Sequence, residues 1–139
     1  MTLTLGTIAE EAAACRAAFA ARPRARYAAH VHHEAAVEAL TESVEERIAY
    51  ILARKPADEQ ALRLHCLRPI TVRQWRAYRA AERPAWEAYT AAVAAWETYE
   101  AAMAAWEIDE AVERAAHDAI CPVAECPWDG RTIFPEQRL

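Results

Sequence analysis

The sequence predicts an all-α fold: an elongated helical bundle or hairpin with a long Trp-repeat helix and a short irregular C-terminal cap. Three observations predict it. Gly6 and Gly130 are the only glycines in 139 residues, whereas the turns of an all-β chain need many residues that tolerate positive φ. Alanine, glutamate and arginine, all good helix formers, are abundant. Apolar residues recur at steps of three and four over long stretches. A chain of this length makes one domain. The expected organisation is a helical domain over residues 1–120, with Trp/Tyr decad repeats at about 75–115, and a cysteine-containing tail or cap over 121–139.

Thr7-Ile8-Ala9-Glu10 is a capping box, with Thr7 at the N-cap and Glu10 three residues on. It opens a helix to about Ala21, which Arg22-Pro23 ends because a residue before proline avoids the α region. A second, long helix is expected from about Arg24 to Arg54, with Val37, Leu40, Val44, Ile48 and Ile51 as its apolar stripe. Pro56 stops it. A third helix is expected over about 57–67, with Ala61, Leu64 and Leu67 facing inward. Arg68-Pro69-Ile70 breaks the pattern, and Thr71 is the N-cap expected for the next segment.

That fourth segment, about 72–119, holds an internal repeat. "WEAYTAAVAA", "WETYEAAMAA" and "WEIDEAVERA" follow one another from Trp86, Trp96 and Trp106, with a looser copy from Trp75. Ten residues over three turns give fewer residues per turn than a straight α-helix, so the stripe drifts round the helix and a partner following it winds left-handedly. Trp86, Tyr89, Trp96, Tyr99 and Trp106 then form either a core stripe or an exposed partner-binding ridge. Pro84 either kinks the segment or opens a new helix. Charge is split along it. Residues 63–83 carry six arginines and one glutamate, and residues 85–113 carry six glutamates, one aspartate and no basic residue. This pattern suits antiparallel pairing, and a homo-oligomer is the expected partnership.

The net charge of −5 argues against generic binding to nucleic acid or acidic membranes. Fifteen of the sixteen basic residues are arginine, Lys55 being the exception, which a GC-rich coding sequence accounts for as readily as it does the alanine. No stretch reads as a secretory signal, and no apolar run approaches a membrane span. A cytoplasmic protein is expected. In that reducing setting the four cysteines read as thiols or metal ligands.

Two clusters carry metal-ligand chemistry. The first is His117-x3-Cys121-x4-Cys126 with Asp129 just beyond. A histidine and a cysteine four apart at a helix end reach one ion, and the Cys-Pro steps and Asp-Gly turn suit a loop that returns Cys126. A tetrahedral zinc site needs a fourth ligand: Asp129, Cys66, His65 or a histidine of the second helix. The second cluster is "HVHHE", in which His30, His33 and Glu34 share one face of the expected helix. That set is either a second metal position or a hydrogen-bonded polar layer. A structural zinc ion is the cofactor expected.

The segment "RLHCLRPITVRQWRAYR", residues 63–79, has the outline of a helix-turn-helix within 58–83. Arg73, Gln74, Arg76 and Arg79 are of the types that read base edges, so a DNA-binding regulator is the second functional reading. There is no Gly-rich phosphate loop, nucleophile elbow or triad motif, and no enzyme is expected. The first reading is a non-enzymatic interaction or assembly module that self-associates through the repeat helix.

Residues 32–70, "HHEAAVEALTESVEERIAYILARKPADEQALRLHCLRPI", and the tail "CPWDGRTIF", residues 126–134, resemble a bacterial and phage-associated family. Its members have an HHE- or HHD-started helix, a block ending in LRP, a variable run of Ala/Tyr/Trp repeats and a CPWDG tail. The likeness spans about residues 27–134. It implies that repeat and tail belong to one design, and it implies no activity. The family's first tail cysteine lies closer to its second than Cys121 does to Cys126.

Overall fold

The computed structural model describes residues 3–95 and 99–135, with side chains described outside 92–105 and 108. It overturns the all-α expectation. The described elements are α1 (Ile8–Ala20), β1 (Tyr27–Ala29), β2 (Val37–Ala39), α2 (Val44–Arg54), α3 (Ala57–Cys66), β3 (Arg68–Ile70), α4 (Val72–Ala95) and α5 (Tyr99–Ile120). The strands form one antiparallel sheet in the order β2-β1-β3, with Ala28 opposite Glu38 on one side and Pro69 on the other.

The expected second helix, 24–54, therefore exists only from Val44 onward. Its first half is the β1–β2 hairpin. The reason lies in burial. Ala28 and Ala29 are both fully buried, and successive strand residues point to opposite faces. Ala28 packs with Cys15, Phe19, Ile48, Leu64 and Leu67 of the α1–α2–α3 side. Ala29 packs with Cys66, Ile70, Tyr78, Trp128 and Ile133 of the other side. A helix would send these neighbours only 100° apart and could not divide them between two core faces. Tertiary burial thus outweighs the helix preference of alanine. Pro69 is tolerated because β3 is an edge strand.

The local signals at the other helix starts act as their chemistry requires. Thr7 Oγ1 accepts from the Glu10 N–H while Glu10 Oε1 accepts from the Thr7 N–H, each at 3.1 Å. Thr71 and Gln74 make the same reciprocal pair at 3.0 and 2.8 Å. Ser43 accepts from the Glu46 N–H at 3.1 Å and starts α2. Ser43-x-x-Glu46 is a capping-box spacing inside the stretch read as a continuous helix, and it marks where that helix begins.

The repeat segment folds back on itself. Gln74 Nε2 donates to the Ile120 carbonyl at 3.3 Å, and further along the rings of Tyr89 and Trp106 meet at 5.6 Å, so α4 and α5 run antiparallel. Tyr27 of β1 stacks on Trp75 at 4.4 Å and seats the root of α4 on the sheet. Pro84 lies inside α4, which continues through it. Within α4, Arg79 pairs with Glu82 at 2.6 Å. Trp86 is 57 % exposed and Trp106 36 %, with half-buried Tyr89 between them. These three form an outward ridge. Trp96 lies outside the described residues, and Tyr99 outside those whose side chains are described.

Where the helices meet, Glu113 hydrogen-bonds Glu82 and lies near Asp109 and Glu110. Burial, the Glu82 bond and these acidic neighbours push the Glu113 carboxyl up to about 8. An acid whose folded value is raised imposes no cost while both states are protonated, below 4.5, and its full cost only above about 8. Glu113→Gln is therefore expected to melt higher than the unaltered protein above about pH 8. The difference should shrink as pH falls and vanish near 4.5, and paired thermal melts across that window measure it.

Candidate metal centre

Four side chains converge between the sheet, the end of α5 and the tail. The ligand-type atoms of His30, His117, Cys121 and Cys126 all lie within 4.8 Å of one another, the only such group of three or more His, Cys, Asp or Glu among the described residues. His30 follows β1 directly, in the left-handed region at φ 52°, where its N–H donates to the Ala36 carbonyl at 3.1 Å. His117 lies in the last turn of α5 and is 1 % exposed. The Cys121 N–H donates to the His117 carbonyl at 2.8 Å, one helical turn back, and so holds this pair at the helix end. Cys126 follows Glu125, a second left-handed residue at φ 53°. Left-handed positions cost non-glycine residues energy and persist where surroundings over-determine them. Both lie at this site.

The separations are short and mutual. His30 Nε2 is 3.0 Å from His117 Nε2, 3.2 Å from Cys126 Sγ and 3.9 Å from Cys121 Sγ, and Cys126 Sγ is 3.5 Å from His117 Nε2. The outer nitrogens decide the tautomers. His30 Nδ1 faces the Ala35 carbonyl at 2.9 Å, and His117 Nδ1 faces the Asp118 carboxylate at 2.9 Å. Both partners only accept, so each Nδ1 carries the hydrogen and each Nε2 presents a lone pair. Two lone pairs 3.0 Å apart require a cation between them, either a proton or a metal ion.

Burial and hydrogen bonding act on the same groups in opposing directions. Burial lowers the His117 imidazole, but its bonds to Cys121 and Asp118 outweigh burial and raise it. The Cys126 bond and burial raise the Cys121 thiol. The Cys121 bond pulls the Cys126 thiol down, but the neighbouring Cys66 thiol and burial push it up to about 12. A metal ion entering here displaces thiol protons, which couples its affinity to pH.

Trp128, 3 % exposed, closes the site. Its ring lies 4.6 Å from that of His117 and 6.0 Å from that of His30. The turn beyond it is built by Asp129, whose Oδ1 accepts from the backbone N–H of Arg131 and of Thr132, both at 3.0 Å. Gly130 supplies φ 106° there. The Ile133 N–H then donates to the His33 carbonyl at 3.2 Å and fastens the tail to the β1–β2 connection.

The structure thus joins one residue of the "HVHHE" cluster to three of the tail cluster. The remaining candidates go elsewhere. His33 Nδ1 meets Thr132 Oγ1 at 2.9 Å and its Nε2 meets Glu34 at 3.2 Å, with the Glu34 side chain 79 % exposed. The helical face expected to group His30, His33 and Glu34 does not exist, because this segment is a strand connection. Asp129 shapes the turn and is not one of the four converging residues. His65 lies between Glu11 at 2.7 Å and the Ala124 carbonyl at 3.1 Å. Cys66 is fully buried beside Cys126. Sequence reasoning missed the outer partners Ala35, Asp118 and Trp128. Asp118, adjacent to His117, was the one signal available for them.

The residues proposed to read DNA are arranged differently from a helix-turn-helix. A sheet strand, β3, stands between α3 and α4. The Gln74 amide is committed at both ends, to the Thr71 N–H and the Ile120 carbonyl. Arg79 pairs with Glu82 at 2.6 Å and lies over the Trp75 ring, while Arg73 and Arg76 are exposed. No helix among the described residues is long and apolar enough to cross a membrane. No protein-family model, curated protein or solved structure matches the chain.

Proposed function

We propose that the chain is a non-enzymatic interaction module, locked by one structural zinc ion, that presents the α4–α5 hairpin to a second copy of itself. The observation that carries the reading is the inward pair of histidine lone pairs flanked by two thiols. Zinc takes nitrogen at about 2.0–2.1 Å and sulfur at about 2.3 Å in a tetrahedron, which sets ligand atoms about 3.3–3.8 Å apart. Four of the six separations, from 3.0 to 3.9 Å, bracket that range, and all six lie within 4.8 Å. Two nitrogens and two sulfurs fill four positions and leave none for a substrate, which favours a structural role over a catalytic one. Zinc also suits a mixed imidazole–thiolate set better than the oxygen-seeking cations do.

The site links three parts: the β1–β2 connection, the returning helix α5 and the tail. Fixing α5 fixes the hairpin. Its exposed Trp86 and Trp106 supply an apolar anchor for a partner. Residues 84–107 carry four glutamates and no basic residue, while the α4 root carries Arg73, Arg76, Arg79 and Arg83. Two hairpins set antiparallel oppose these charges, and this complementarity supports a second copy as the partner.

Elemental mass spectrometry combined with light scattering tests both halves. We expect one zinc per chain in protein purified without chelator or histidine tag, and a dimer whose affinity falls with salt. Trp86→Ala should yield monomer with its zinc and melting temperature retained. Metal-free protein would remove the zinc half, and a monomer at high concentration and low salt would remove the self-association half.

A further inference from the structure

Away from the metal ligands, an open cleft of about 690 Å³ lies between α5, the β1–β2 connection and the tail. Its lining includes the carboxyl groups of Glu34, Asp109, Glu110 and Glu113 together with the Trp106 ring, and Arg131 is the one arginine or lysine among its lining residues. Asp109 is 9 % exposed, and its Oδ1 has no hydrogen-bond partner. A buried carboxylate oxygen left without a donor is costly and points to a missing cationic or donor partner. Burial and the charges of Glu82 and Glu110 hold the Asp109 carboxyl above its ordinary value, as expected of an acid that no cation faces.

The cleft already displays the chemistry it accepts. The Arg131 guanidinium lies over the Trp106 ring at 5.0 Å, with its Nε 3.5 Å from Glu110. Aromatic face plus carboxylate is a recognition set for organic cations. A bare metal ion fits less well, because these carboxylates are not drawn into one group with all ligand atoms within 4.8 Å. We propose that this cleft binds an organic cation, a guanidinium or primary ammonium group on a short apolar stem, with Asp109 as the anchoring carboxylate and Trp106 as the apolar wall. The site is separate from the metal centre, since none of the four converging side chains lines it.

Calorimetric titration of the full chain with n-butylguanidinium, against the uncharged isostere n-butylurea, tests this. Saturable binding of the cation, at least about tenfold tighter than the urea, is expected from a charge-assisted hydrogen bond. Asp109→Asn, checked for unchanged circular dichroism, should lose that preference. The ligand pair keeps the test decisive if the variant fails to fold. No saturable binding at millimolar n-butylguanidinium, equal binding of the urea, or an unaltered preference in a folded Asp109→Asn would each overturn the proposal. Light scattering during the titration identifies the source of the natural cation. Dissociation of a self-associated form assigns the cleft to an arginine side chain of a second copy, and an unchanged mass assigns it to a free amine or guanidine.

Discussion

Cys126→Ser is expected to lose its zinc and to melt roughly 10–15 °C below the unaltered protein, for a domain of this size losing about 4 kcal/mol. The magnitude follows from linkage. A structural ion binds the folded chain and not the unfolded one, so its affinity is folding energy. Replacing one thiolate by a hydroxyl lowers affinity by about a thousandfold or more, which is roughly 4 kcal/mol at saturating metal. Serine is nearly isosteric with cysteine, so packing changes little. Two controls isolate the metal. Chelation should bring the unaltered protein down to the level of the variant, and should leave the variant where it is. Cys15, fully buried and bonded to the Leu67 carbonyl at 3.4 Å on the other core face, should tolerate Cys15→Ala with zinc retained. A melting temperature unmoved by Cys126→Ser would contradict the structural role.

Trp128→Ala is expected to cost about 3–5 kcal/mol, the range for truncating a large buried aromatic side chain. Trp128 is 3 % exposed and packs with Ala29, Ile70, Tyr78 and Ile133 while lying against both histidines of the converging cluster. Its loss opens a cavity and lets the imidazoles turn, so zinc affinity should fall together with stability. Trp128→Phe separates the two effects. The indole Nε1 has no hydrogen-bond partner, so phenylalanine gives up no bond and keeps most of the apolar area. It should retain zinc and cost far less than alanine. Urea denaturation with metal analysis at each step reads both quantities, and equal costs for the two variants would mean the ring's packing against the site is immaterial.

How much of this was legible in the sequence varied with the range of the cause. The caps at Thr7 and Thr71 were readable because a capping box is written within four residues. The tail part of the converging cluster was readable for a similar reason: His117 and Cys121 are one turn apart, and the Cys-Pro and Asp-Gly steps announce a loop. The sheet was not. Its strands are "YAA", "VEA" and "RPI", each three residues long and too short to display a period of two, and what makes them strands is a core on each side assembled from residues far away in the chain. His30 shows the same limit. It was a candidate by residue type and was placed on a helix beside His33. In the structure it sits in a left-handed turn after β1, and its Nε2 meets that of His117, 87 residues away. The hairpin lies between these extremes. The aromatic spacing marked helix correctly, while the contact of Glu82 with Glu113 joins residues that no local pattern relates.

The most direct test of the account is X-ray absorption spectroscopy at the zinc edge on protein purified without chelator or tag. The account predicts one zinc per chain with two sulfur neighbours at about 2.3 Å and two nitrogen neighbours at about 2.0–2.1 Å. A shell dominated by oxygen, a sulfur count that Cys126→Ser does not lower, or no bound metal would contradict it.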